Sequence, residues 1–524
     1  MDGDRITAVV RSTDDSGTKA ITAGETIDGR GKVVAPGFID LHSHSDWVLP
    51  DPHHGPVLKP LLEQGITTLV TGNCGFSPAP INPAHRDLID ESSDMLREDR
   101  LDWRWSGVAE FLDHLEKSDL QFNVAHLAGH GTIRLSSMER PMGPASEADV
   151  RAMQEVVRTA LDEGAVGLST GLGYPPGMFS KLDELTALAS VAAEKGRIFT
   201  SHLKAYSWIS PFYPANPIRW VDHNIRAVRD ILEVARRSNA RLQISHLIFV
   251  GPRTWPSCVT VIGEIEAAEA QGIDVAFDCF PYTGGNTTIR VIYPASLQEN
   301  LVAALDRRSV RARLRMEFAV LRRVLGFDFG HIQLLWAAND DYARYEGMRF
   351  DRIAADMGVD PYEAYFRMTR VSNARARVML HTYSGDAQDN GPLRRVIAHR
   401  LNLFETDTIL VSRGKHNPAS FGTFPKVLGK FVREEKLLSL GEAVRKMTGA
   451  SADRLGLRDR GRIQEGQAAD LVIFDPETVG CAADFDKPDV APTGIDHVVL
   501  NGRVVVSSGK WKGNSAGRVL REFG

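Results

Sequence analysis

Cysteine is scarce in this 524-residue chain: Cys74, Cys258, Cys279 and Cys481 are the only four, and they lie far apart. That spacing does not suit a disulfide-stapled secreted scaffold and fits a reducing compartment, so a cytoplasmic protein is expected. An excess of positive charge is missing too, with 62 Lys and Arg against 67 Asp and Glu. A broad phosphate-binding surface of the kind that drives nucleic-acid affinity is therefore not expected. No apolar run approaches the ~20 residues of a membrane span, and Met1 to Ala35 hold no signal-peptide core. No internal repeat or low-complexity segment stands out. What the chain has is length and apolar content, 43% hydrophobic, enough for one large barrel with a satellite domain. A homo-oligomer is compatible with this composition.

Short apolar, β-branched runs alternate with amphipathic helical stretches. Thr67 to Thr71, Phe122 to Leu127, Val166 to Ser169, Ile198 to His202, Leu242 to His246 and Asp274 to Asp278 read as buried strands. Helical spacing covers Glu147 to Glu163, Asp183 to Lys195 and Ile225 to Ser238 between them. The alternation predicts a parallel sheet, and its length predicts an α/β fold of the eight-fold (β/α)8 TIM-like barrel type over 36–454. The two ends differ. Ile6 to Ile27 and Ala468 to Val506 alternate with period two, as antiparallel strands do, which predicts a small β-sandwich from 1–35 and 455–524. The charged stretches Asp90 to Arg104 and Arg307 to Arg323 read as solvated helix faces.

Chemistry enters at Val34-Ala-Pro-Gly-Phe-Ile-Asp-Leu-His42-Ser-His44-Ser-Asp46. Two histidines one residue apart at the end of a strand share a face and can both point into a barrel mouth. Alone, such a pair is as often a surface or core feature. Here two later strands also end on Ser-His, at His202 and His246, and a further one is followed by Cys74. Four histidines at three strand ends are hard to explain by packing, and imidazole and thiolate are good zinc ligands. Cys74 by itself would more often be a small buried apolar residue.

The segments APGFIDLHSHSD, EQGITTLVTGNCGFSPAP, GHGTIR, GAVGLSTGLGYPPG, FDCFPYTGG, FGTFPKVLGKFVRE and GRIQEGQAADLVIFD resemble, in order and spacing, the signatures of the N-acyl-D-amino-acid deacylases (D-aminoacylases) of the amidohydrolase superfamily. The resemblance implies a zinc enzyme that cleaves a linear amide of a small N-acyl substrate with metal-activated water. It implies a tight zinc site at Cys74, His202 and His246, with a second, weaker site near His42 and His44. Cys74 then takes the bridging place that a carboxylated lysine fills in related hydrolases. Tyr174 and Tyr282 fall where the family lines its substrate site with tyrosines, and His130 reads as a supporting histidine behind it.

Three departures accompany the resemblance. The family's late Ser-Asp-Gly falls on Ser412-Arg413-Gly414, with Arg413 where the catalytic aspartate belongs. Reading Thr408 to Ser412 as the strand puts Asp407 at its wrong end, so Asp46 and Asp386 become the candidate catalytic carboxylates. Ile248 and Ala419 stand where the family has a lysine and an arginine for the substrate carboxylate. Arg413, Lys415, Lys204 and Arg290 are the possible substitutes, and without one of them discrimination for a free acid is expected to be weak. The segment Tyr206 to His223, rich in aromatics and proline, reads as either a lid or a rigid buffer beside His202, and the first strands of the sandwich look short. A cyclic amidase such as a hydantoinase or dihydroorotase is an alternative, which Cys74 opposes. A non-catalytic scaffold is another, which the intact ligand set opposes.

Overall fold

The computed structural model describes residues 1–10, 24–97, 101–213 and 221–523. The sequence readings that fall on 11–23, 98–100 and 214–220 lie outside the described residues. Eight parallel strands form the central sheet: β1 (Phe38–Asp40), β2 (Ile66–Thr71), β3 (Asn123–Gly129), β4 (Gly167–Gly171), β5 (Ile198–His202), β6 (Arg241–Ile244), β7 (Val275–Cys279) and β8 (Asn402–Phe404). They are hydrogen-bonded in chain order, from β1 to β8. The seam closes just beyond the strand ends. Ser43 bridges Thr408 in parallel, Asp407 N donates to His42 O at 3.0 Å, and His44 N donates to Thr408 O at 3.0 Å. The sheet is thus an eight-stranded barrel.

Its strands are apolar on both faces because one face meets the ring of helices and the other meets the barrel interior. Ile39, Val70, Ala125, Leu127, Ile198 and Leu403 form an interior cluster that Leu455, Leu457 and Leu520 join from later in the chain. The helix Leu182–Glu194 and the helix Glu147–Asp162 lie where helical spacing places them. Asp149 completes a capping box with Ser146 at the start of the second of these.

The two ends of the chain build a separate antiparallel sheet. Val33–Pro36 pairs with Leu471–Phe474, which pairs with Ile495–Leu500, followed by Arg503–Ser507 and Lys510–Trp511. Between β7 and β8 lies an insertion that the sequence reading does not contain. The strands Gly284–Thr288, Ile332–Trp336 and Arg377–His381 form a three-stranded antiparallel sheet, with the last of them in the middle. The helices Arg308–Leu325, Phe350–Met357 and Pro361–Val371 pack on it around Tyr293, Phe318, Phe350 and Tyr365. The arginine-rich stretch is therefore one solvated face of a helix whose other face buries Leu314, Phe318 and Leu325. Among the described residues no helix is long and apolar enough to cross a membrane.

Candidate metal centre and substrate cavity

Four strand ends aim five side chains at one point above the barrel. His42 and His44 follow β1, Cys74 follows β2, His202 ends β5 and His246 follows β6. The chain leaves β2 through Gly72, Cys74 and Gly75, all at positive φ (78°, 56° and 75°), a left-handed path that costs a non-glycine residue energy and that turns Cys74 towards the histidines. Cys74 Sγ lies 3.2 Å from His42 Nε2, 3.5 Å from His246 Nε2 and 3.7 Å from His202 Nδ1. His202 Nδ1 and His246 Nε2 are 3.0 Å apart. Asp407 completes the cluster, with Oδ1 3.7 Å from both His42 Nε2 and His44 Nε2.

These distances fit a metal ion. Neighbouring ligand atoms of a tetrahedral zinc lie about 3.3–3.8 Å apart. Three overlapping sets meet that need, each with its ligand atoms within 4.8 Å of one another: His42, His44 and Cys74; Cys74, His202 and His246; and His42, His246 and Asp407. Cys74 belongs to two of the three, as a bridging ligand would. Burial, reinforced by the neighbouring imidazoles, holds His42 and His202 well below the usual histidine range, and burial also lowers His246. A neutral imidazole keeps one ring nitrogen with a lone pair that can bind a metal. Burial, and next the charge of Asp407, pushes the Cys74 thiol well up, and a cation in the cluster reverses that balance.

Neighbouring residues hold the ligands in place. His246, at φ 32°, has its backbone N–H 2.6 Å from Asp278 Oδ1 at the end of β7. Asp40, at the end of β1, accepts from His42 N, Thr406 N and Thr406 Oγ1, tying the first strand to the last. Burial lifts both carboxyls to about 7. The Tyr206 ring stands against His202 and His246, with centroids 5.0 and 5.2 Å away. Its hydroxyl accepts from Leu203 N and donates to Ser245 O. Neither Asp40 nor Asp278 is a site residue in the sequence reading, which has Tyr206 only as the start of the aromatic segment, although an aspartate at the end of the strand Asp274 to Asp278 is a usable signal.

A cavity opens from His202, His246 and Asp407 towards the insertion, where Leu321, Leu325 and Phe327 wall it. Tyr174 lies on its wall and donates a hydrogen bond to Cys74 O at 2.8 Å. The described part of the aromatic segment, Tyr206 to Tyr213, also contributes, through Tyr206, Ile209 and Phe212.

Of the other residues singled out from the sequence, Asp407 joins the cluster and the rest stand apart from it. Asp407 is not at the wrong end of its strand. β8 ends at Phe404, the apolar run Ile409 to Val411 is buried loop, and Asp407 sits past the C-terminal end of β8 at the barrel mouth. Asp46 is buried in the turn Ser45–Trp47 but joins none of the three ligand sets. Asp386 accepts from Gln388 N and Asp389 N, as a turn residue does. Arg413 stacks on Trp336 at 4.1 Å and donates to Asp94 O and Arg97 O, so its guanidinium is occupied away from the cavity wall. Arg290 is likewise committed to Ala374 O and Gln298 O. Tyr282 packs in the core of the insertion with the Lys426 ammonium 3.4 Å from its ring centre. His130 Nε2 lies 2.9 Å from Glu184 Oε1, which also receives Arg134.

The profile of the amidohydrolase family matches residues 25–506. The chain is 32% identical to an N-acyl-D-glutamate deacylase of Alcaligenes xylosoxydans xylosoxydans, over 99% of this chain and 91% of that protein. An N-acyl-D-glutamate deacylase from Bordetella bronchiseptica, solved with zinc and a phosphonate that mimics the tetrahedral intermediate, superposes with a TM-score of 0.80 at 30% identity, over 99% of this chain and 94% of that one. A D-aminoacylase structure that addresses a binuclear metal centre gives a TM-score of 0.79 at 29% identity, with the same two coverages.

Proposed function

This chain belongs to the amidohydrolase family, and from that premise we propose that it is a zinc-dependent hydrolase that cleaves the amide bond of N-acyl-D-amino acids or close N-acyl relatives. The observation that carries the reading is the buried cluster in which Cys74 stands between His42 and the pair His202 and His246, with Asp407 at its edge. Cys74, His202 and His246 would hold the tighter ion, and His42 and His44 a second, weaker one. Zinc supplies Lewis acidity, lowering the pKa of a water from 15.7 towards ~7 and polarising an amide carbonyl.

The chain's own groups do the rest. Asp407 Oδ1 takes the proton of the attacking water and returns it to the leaving nitrogen. Tyr206 and Asp278 hold the histidine rings and backbone at fixed angles, so the ligand set is formed before substrate arrives. Tyr174 fixes the Cys74 turn from the other side. The apolar wall from the insertion keeps bulk water from the reacting atoms.

Elemental analysis of protein purified without chelator, paired with hydrolysis of a panel of N-acyl D- and L-amino acids, tests the proposal. About one or more zinc per chain and turnover of N-acyl-D-amino acids are expected. Metal-free protein with full activity would overturn the metal assignment. Turnover of cyclic amides alone would move the chain to the cyclic amidases.

A further inference from the structure

Most polar groups near the cavity already have partners. The Tyr206 hydroxyl bonds Leu203 N and Ser245 O, and the Tyr174 hydroxyl bonds Cys74 O. Two of the exceptions stand on the wall of the cavity. Asn286, on the insertion strand Gly284–Thr288, buries both its Oδ1 and its Nδ2 with no hydrogen-bond partner. Lys204, two residues past the end of β5, is the one lysine or arginine on the wall among the described residues. Its ammonium has no hydrogen bond or ion pair among the described residues and rests 5.3 Å from the centre of the Tyr213 ring. A buried amide without partners costs about 1–3 kcal/mol, a cost that a ligand with complementary groups removes.

The chemistry of such a ligand follows from the two side chains. An asparagine amide presents an acceptor and a donor side by side, and a lysine beyond it asks for an anion. An N-acyl amino acid presents the reverse set on neighbouring atoms, an amide N–H beside an α-carboxylate. We propose that Asn286 and Lys204 hold the amino-acid end of the substrate: Oδ1 accepts from the substrate amide N–H, Nδ2 donates to a carboxylate oxygen, and the Lys204 ammonium pairs with the same carboxylate. This rests on the deacylase reading above and deepens it by naming the groups that demand a free α-carboxylate. Ile248 and Ala419 do not oppose it. Ile248 is an apolar part of the wall, and Ala419 is buried in the helix Ala419–Lys426. The charge they fail to supply comes from the neighbouring strand end.

The test uses the zinc-loaded protein and two substrates, an N-acetyl-D-amino acid that it hydrolyses and the C-terminal amide of the same compound. Wild type should prefer the free acid by about 100-fold or more in kcat/KM, because a site built for a charged partner rejects its neutral analogue. Lys204→Met should reduce that preference to less than about fivefold, mainly by raising KM for the acid, while Lys204→Arg retains it. Asn286→Asp places a carboxylate against the substrate's own carboxylate and an acceptor beside the carboxamide NH2, so the preference should invert. A packing role for either residue would lower both substrates together and leave their ratio alone. A wild-type ratio near one overturns the proposal, as does a preserved ratio in folded, zinc-loaded Lys204→Met and Asn286→Asp. If no N-acyl amino acid is hydrolysed at all, it is the deacylase reading that falls.

Discussion

Asp407 owes its position to backbone bonds across the barrel seam. Its own N–H is held by His42 O, and its φ of 47° turns the side chain back over the histidines. Asp407→Asn keeps that shape and removes the base, so kcat should fall by ~10²–10⁴-fold with zinc content unchanged. Asp386→Asn, in a turn that bonds only its own backbone, should stay near the wild-type rate. Steady-state kinetics with metal analysis decides between them, and an active Asp407→Asn enzyme would return the role to another carboxylate. The five histidine and cysteine positions were legible because each follows a strand whose apolar run is plain in the sequence. Asp407 was not. β8 has three residues, and the more hydrophobic run behind it, Ile409 to Val411, is buried without pairing as a strand. Burial imitates the strand signal, so Thr408 to Ser412 reads as the strand and Asp407 falls at its wrong end.

Between elements, the same contrast holds. The barrel helices show in the sequence because each buries one face and leaves a helical period, and the barrel strands show because burial on both faces leaves a short continuous apolar run. The insertion from Gly284 to His381 does not, because its strands form a sheet of their own outside the strand-helix alternation of the barrel. Its long helix carries arginines that hide the buried stripe Leu314, Phe318 and Leu325. The ion pairs between helices are likewise invisible until the fold is known. Glu184, on Leu182–Glu194, reaches His130 and Arg134 on the helix His130–Ser137. Burial alone would raise its carboxyl, but the His130 hydrogen bond and the positive partners reverse this and hold it at about 2. A carboxyl depressed on folding adds stability above its ordinary pKa of 4.5, and that share, on the order of 3 kcal/mol, is lost as pH falls towards 2. Thermal unfolding of chelator-treated protein between pH 5 and about 2.5 should therefore show a shallower pH dependence in Glu184→Gln than in wild type. Parallel curves would remove the pair from the account of stability.

At the scale of the whole molecule, the proposed metal would tie distant parts of the chain together. The proposed ligands come from positions 42 to 246, so an ion bound to the native cluster and not to the unfolded chain would add stability by mass action, about 2.7 kcal/mol at a hundredfold excess over Kd. Chelation should lower the thermal midpoint by several degrees and zinc should restore it, whereas Cys74→Ala should show little response to either. An unchanged midpoint after verified zinc removal would separate the ion from folding. The seam between the first and last strands has a consequence in time. During synthesis the N-terminal end of the barrel emerges first, with His42, His44 and Cys74 already present. The partner that closes the barrel, Thr408, and the carboxylate beside it, Asp407, come more than three hundred residues later. At the ~5–20 residues per second of translation, that is a delay of tens of seconds. Of the groups in the proposed site the base is therefore the last to be made, and hydrolysis can begin only once the last strand has locked beside the first.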